Sequence, residues 1–177
     1  FHENLKSGWP ISLGFWTRQF PIDDLNGNSD KELVLASING FTHVVNYKAF
    51  YLFSTEVQSP LAPAIADINK DGVNEDVIVD SINFDIFPNG LVHVFDIKGN
   101  ELPGWPRVIV GADSGVSIGN IDNDKYLEII VGTGGNFALP GSDEVINYDE
   151  IYAFNYDGTN LFGWPVKTGG NLYPWSV

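Results

Sequence analysis

The 177 residues carry a net charge of −14, with 44% apolar and 14% aromatic residues, and neither Cys nor Met. That is enough apolar material for one domain with a core. The acidic balance argues against nucleic acid and against an anionic membrane surface, and no apolar run approaches the ~18 residues of a membrane span.

In chain order the first landmark is the tripeptide Gly8-Trp9-Pro10. The acidic segment D-L-N-G-N-S-D-K-E follows at residues 24–32, leading into the apolar run 33–37. A predicted strand at 60–66 enters a second acidic segment, D-I-N-K-D-G-V-N-E at 67–75, and a strand at 77–81 leaves it. Next come a strand at 91–96, the turn pair Lys98-Gly99, Gly104-Trp105-Pro106 and a strand at 106–110. A strand at 115–119 enters the third acidic segment, N-I-D-N-D-K-Y-L-E at 120–128, and a strand at 129–133 leaves it. After an insertion at 134–149 come a strand at 151–155, the turn pair Asp157-Gly158 and Gly163-Trp164-Pro165. These strands are short, β-branched or aromatic, and end at Asp or Gly. No apolar stripe at helical spacing occurs.

The landmarks keep register. Trp9 precedes Asp24 by 15 residues, and Trp105 precedes Asn120 by 15. The middle tripeptide belongs near Leu52, where Tyr51-Leu52-Phe53 stands as a degenerate copy. The last tripeptide places a fourth loop near residue 179, just past Val177, so the chain is expected to be cut inside a repeat. Repeats of about 48 residues with four short antiparallel strands read as β-propeller blades. The expectation is an all-β fragment of a larger propeller with about three four-stranded antiparallel blades. Its repeats would run approximately over 11–53, 54–106 and 107–165, with 166–177 starting a further blade. The competing fold, a parallel β-helix, uses shorter repeats and fewer Trp.

Positions 1, 3, 5 and 9 of each acidic segment are oxygen donors: Asp24, Asn26, Asn28 and Glu32; Asp67, Asn69, Asp71 and Glu75; Asn120, Asp122, Asp124 and Glu128. Position 7 varies among Asp30, Val73 and Tyr126, which fits a backbone-carbonyl ligand. Calcium takes six to eight oxygens at about 2.3–2.6 Å, so such a loop suits it, and up to three ions are expected. An EF-hand is excluded because position 12 is Leu35, Ile78 or Val131 instead of Glu. Position 2 is always apolar (Leu25, Ile68, Ile121) and is expected to pack inward. Side-chain charge at the four donor positions is −2 in the first loop and −3 in the others, and only the second has Gly at position 6 (Gly72). The second site is therefore expected to be tightest, with Lys125 complicating the third.

The pattern D-x-[ND]-x-[ND]-G-x-x-E between two strands, tied to a later G-W-P, resembles the FG-GAP or VCBS repeat family, to which integrin α-subunit propellers are similar. The resemblance implies calcium at the hairpin between the first two strands of a blade, held by the twelve side chains named above. Ser29, Lys125 and Asn120 depart from the family pattern.

The function expected is an extracellular or cell-surface calcium-binding module for adhesion, or for binding a protein or glycan ligand. Two alternatives stand beside it: the propeller portion of a secreted polysaccharide-degrading enzyme, and a structural subunit of a surface array or filament that self-associates through open blade edges. No nucleic-acid partner and no membrane insertion are expected. The sequence singles out no catalytic residue. His2, His43 and His93 form no ligand spacing, and the G-W-P tryptophans read as packing more than as sugar platforms. The insertion at 134–149, with Asn136, Phe137, Pro140, Ser142, Asp143 and Tyr148, is the favoured binding face.

Overall fold

The structure is a computed structural model of the chain. It describes residues 8–12, 20–37, 40–57, 61–80, 89–134, 136–138 and 145–169. His2, Trp16 and Trp175, and Pro140, Ser142 and Asp143 of the insertion, lie outside the described residues.

The described residues contain β-strands and no helix. The first sheet comprises β1 (Ile22–Asp23), β2 (Glu32–Ser37), β3 (Phe41–Asn46) and β4 (Tyr51–Glu56), hydrogen-bonded in that order. The second comprises β5 (Ala64–Ala66), β6 (Glu75–Asp80), β7 (Asn89–Phe95) and β8 (Arg107–Val110), again in chain order. In the third, β9 (Ala112–Gly119), β10 (Glu128–Thr133), β13 (Glu150–Phe154) and β14 (Val166–Lys167) repeat the same meander. Its insertion forms a separate hairpin of β11 (Asn136–Ala138) and β12 (Val145–Asn147). All pairings are antiparallel.

Each acidic segment lies between the first and second strands of its sheet, and the second strand starts at the position-9 glutamate (Glu32, Glu75 or Glu128). The strands leaving the loops therefore begin one or two residues earlier than the apolar runs suggest. The sheets are also divided a few residues later than the tripeptides suggest. Arg107–Val110 closes the second sheet by pairing with β7, and Val166–Lys167 closes the third by pairing with β13. Asx turns link the third and fourth strands: Asp96 Oδ1 accepts the N–H groups of Lys98 (2.8 Å) and Asn100 (2.9 Å).

The core lies between sheets. Ile68, Val92, Val94, Trp105 and Ile109 of the second unit pack with Ile129, Val131, Tyr152 and Phe154 of the third. Leu25, Val34, Val44 and Phe53 of the first pack with Ile65 and Ile97 of the second. Two tripeptides each clasp a sheet through the indole N–H. Trp9 Nε1 donates to the Tyr47 carbonyl (2.8 Å), and Trp105 Nε1 donates to the Tyr156 carbonyl (3.2 Å), each acceptor lying in a turn after a third strand. Glycine precedes both tryptophans for a steric reason. Its φ is +89° at Gly8 and +92° at Gly104, and a Cβ would sit 2.3 Å from the Lys48 carbonyl oxygen or 2.1 Å from that of Asp157. All three Trp-Pro bonds are cis. Phe53, in β4, lies against the turn of the second sheet, its ring 2.8 Å from where a Cβ on Gly99 would sit. The third tripeptide has no such acceptor among the described residues, and neighbouring Phe162 is fully exposed.

Candidate metal centres

The three loops share one hydrogen-bonding plan. The position-1 side chain caps the loop from inside. Asp24 accepts the N–H groups of Gly27 (2.7 Å), Asn28 (3.1 Å) and Ser29 (2.7 Å). Asp67 accepts those of Asp71 and Gly72, both at 3.0 Å, and Asn120 accepts that of Asn123 at 2.9 Å. Asn120 Nδ2 also donates to the Asp124 carbonyl. The position-3 oxygens of Asn26, Asn69 and Asp122 accept the position-5 N–H at 3.1, 2.8 and 2.9 Å. The position-5 oxygens of Asn28, Asp71 and Asp124 accept the position-7 N–H of Asp30, Val73 and Tyr126 at 2.7, 2.9 and 2.6 Å. Successive side-chain oxygens are thus turned toward the concave side of one tight coil.

The glutamates at position 9 close the coils from the buried side. Glu32 is 1% exposed, Glu75 4% and Glu128 0%. Each uses Oε2 to accept the N–H of position 2: Leu25 at 3.0 Å, Ile68 at 2.9 Å and Ile121 at 2.8 Å. The second oxygen differs among them. Glu75 Oε1 accepts from Asn69 Nδ2 (3.1 Å), whereas Glu128 Oε1 is buried with no hydrogen-bond partner. A buried carboxylate oxygen without a donor costs several kcal/mol, and a cation in the loop would remove that cost.

Two acidic triads result. Carboxylate oxygens of Asp67, Asp71 and Glu75 lie within 4.8 Å of one another, as do those of Asp122, Asp124 and Glu128, an arrangement that could hold a metal ion. The first loop has only Asp24 and Glu32 as carboxylates at the four donor positions, with Asn26 and Asn28 between, and forms no acidic triad. Burial pushes the Glu75 carboxyl up to about 7, against the Ile68 N–H that favours its charge, and the charges of Asp71 and Asp67 push it further. Burial likewise raises Glu32. At Asp24 burial also pushes upward, but the N–H groups of Ser29, Gly27 and Asn28 outweigh it and hold the carboxyl low.

Position 2 divides the loops. Leu25 and Ile68 are buried at 1% and 0% exposure, but Ile121 is 47% exposed, against the inward packing expected of all three. The cause lies in the neighbouring sheet. Ile68 is covered by the third unit and Leu25 by the second, whereas no further sheet covers Ile121 among the described residues. The ammonium of Lys125 lies 4.5 Å from the centre of the Tyr126 ring, engaged with a ring that itself stacks near Tyr156.

Sequence reasoning missed two features. Position 4 takes a positive φ in every loop: +73° at Gly27, +60° at Lys70 and +69° at Asn123. Gly and Asn there were a readable signal, which Lys70 hid. The second feature is position 8. Asn74 Nδ2 donates to the Asp24 carbonyl (2.7 Å), and the Leu127 N–H donates to the Ile68 carbonyl (3.0 Å), lacing the loops together. Nothing local in the sequence marks either contact.

The other candidates have structural roles. His43 bonds Ser54 (2.7 Å) and His93 bonds Glu101 (2.7 Å) within their own sheets. Tyr148 of the insertion is buried, its ring filling the space a Cβ on Gly111 would need. No described helix is long and apolar enough to cross a membrane. Compared with known proteins, the chain matches no family model and none of the curated sequences.

Proposed function

We propose that this chain is a calcium-braced β-propeller segment of FG-GAP/VCBS type, serving an extracellular or cell-surface module that binds a protein or glycan. The observation that carries the calcium reading is Glu128 Oε1: a buried, partnerless carboxylate oxygen in a residue that forms a triad with Asp122 and Asp124. A hard dication with oxygen ligands relieves it best, and the Asp67–Asp71–Glu75 triad offers the same chemistry. The first loop, with two carboxylates and two amides, takes a third ion more weakly. The blade reading is supported by three successive four-stranded antiparallel meanders, each with its acidic loop at the first hairpin. Extracellular calcium modules bind at roughly 0.1–1 mM, the affinity range expected of these sites. A site at tenfold its Kd contributes about 1.4 kcal/mol to stability.

The test is calorimetric calcium titration of chelator-treated protein, with a melting curve at each end point. Two or three saturable ions with a raised Tm are expected. No binding and an unchanged Tm would reduce the loops to plain Asx turns.

A further inference from the structure

We infer that the three cation sites are energetically coupled in sequence, through the residue at position 8 of each following loop. The coupling rests on the loops holding cations, as proposed above. Asn74 stands between Val73, the backbone-ligand position, and Glu75, the buried carboxylate of the second loop. Its side chain leaves that loop and donates to the carbonyl of Asp24 at 2.7 Å. Asp24 is position 1 of the first loop, and its carboxylate gathers the N–H groups of Gly27, Asn28 and Ser29. The third loop repeats the relation through its backbone. Leu127, between Tyr126 and Glu128, donates its N–H to the Ile68 carbonyl at 3.0 Å. Ile68 in turn sits between Asp67 and Asn69, and its own N–H is held by Glu75.

A cation bound in the second loop fixes residues 73 and 75 together, and therefore fixes Asn74 between them. The first loop then meets an Asp24 backbone already held, and the cost of ordering that shared element falls once instead of twice. Linkage makes the effect reciprocal. Electrostatics opposes it, because filling one loop removes negative charge that attracts an ion to the next. Salt weakens that opposition, whereas the hydrogen bonds persist. The order of the loops follows: the first couples to the second and the second to the third. Among the described residues no hydrogen bond joins the first loop to the third directly.

The experiment is a calcium titration at physiological ionic strength, followed by amide resonances of Gly27, Gly72 and Asn123 as one reporter per loop. In the unsubstituted protein, Gly72 should saturate first, and Gly27 should follow at a midpoint lowered by the occupied second site. Asn74→Leu removes the donor while keeping every proposed ligand. It should raise the calcium midpoint at Gly27 about three- to tenfold, the effect of one net hydrogen bond, and leave the relation between Gly72 and Asn123 intact. Asp71→Ala, which disables the second site, should move the Gly27 midpoint by a similar factor and serves if Asn74→Leu does not fold. Calcium binding with a Gly27 midpoint indifferent to both substitutions overturns the coupling and leaves the metal sites standing. Absence of any calcium-dependent shift in the unsubstituted protein overturns the metal reading itself.

Discussion

The indole nitrogen of Trp105 donates a 3.2 Å hydrogen bond to the backbone carbonyl of Tyr156, 51 residues away in the next sheet. Trp105 is 8% exposed, and its ring meets Phe154 edge-on at 5.8 Å. One side chain therefore joins two sheets by packing and by a directed bond.

Trp105→Phe keeps most of the packing and leaves the Tyr156 carbonyl unpaired, so a loss of about 1 kcal/mol is expected. Trp105→Ala should cost about 3–5 kcal/mol. A glycine pair separates backbone strain from the close approach. Gly163→Ala meets nothing within 4 Å and carries only the penalty of φ +89°, about 1–2 kcal/mol. Gly104→Ala adds a collision 2.1 Å from the Asp157 carbonyl oxygen and should cost clearly more. Urea unfolding of the four variants reads all of this; equal losses for the two glycine variants would remove the clasp as a structural element.

The second loop's anchor and the third's offer a contrast between chemically matched residues. Ile68 is fully buried among residues of two units, and Ile68→Ala should cost about 2–5 kcal/mol. Ile121 holds the same loop position at 47% exposure, and Ile121→Ala should stay within about 0.5 kcal/mol. Thermal unfolding compares them directly. A large loss at Ile121 would mean that the third loop is covered in solution, by another sheet or another molecule.

That contrast also marks what the sequence could reveal. The strands, the all-β class and the two acidic triads were legible because each depends on local spacing that recurs along the chain. Apolar runs after each loop gave β2, β6 and β10 to within one or two residues. The depth of Ile68 and the exposure of Ile121 were not legible, because position 2 reads the same in both and only a neighbouring sheet distinguishes them. The Asn74–Asp24 bond was hidden for the same reason, joining residues 50 apart. Spacing put a degenerate tripeptide at Tyr51-Leu52-Phe53, but only the fold shows that the Phe53 ring lies against Gly99 of the next sheet's turn. Lys70 concealed the left-handed position 4, since only the chain geometry reveals a lysine at φ +60°.

Glu75 gives the pH dependence. Its folded carboxyl is raised to about 7 by burial, above an ordinary value near 4.5, so the fold favours the neutral acid. Without divalent cations its contribution to stability is complete below about pH 4.5, falls as pH rises toward 7, and is gone above that. His43 and His93 act oppositely, because burial lowers both below their ordinary 6.5 and stability from them grows as pH rises to that value. The difference between the unsubstituted protein and Glu75→Gln isolates the carboxyl. Gln keeps an acceptor for the Ile68 N–H and gives up the one for Asn69 Nδ2, a loss that does not vary with pH. In chelator, Glu75→Gln should gain on the unsubstituted protein between about pH 5 and pH 8. In saturating calcium the order reverses at the upper end, because the ion stabilises the carboxylate and the amide binds it weakly. Denaturant unfolding at both pH values, with and without calcium, checks this. A gap independent of pH in chelator would mean that Glu75 is ionised in the fold across the whole range.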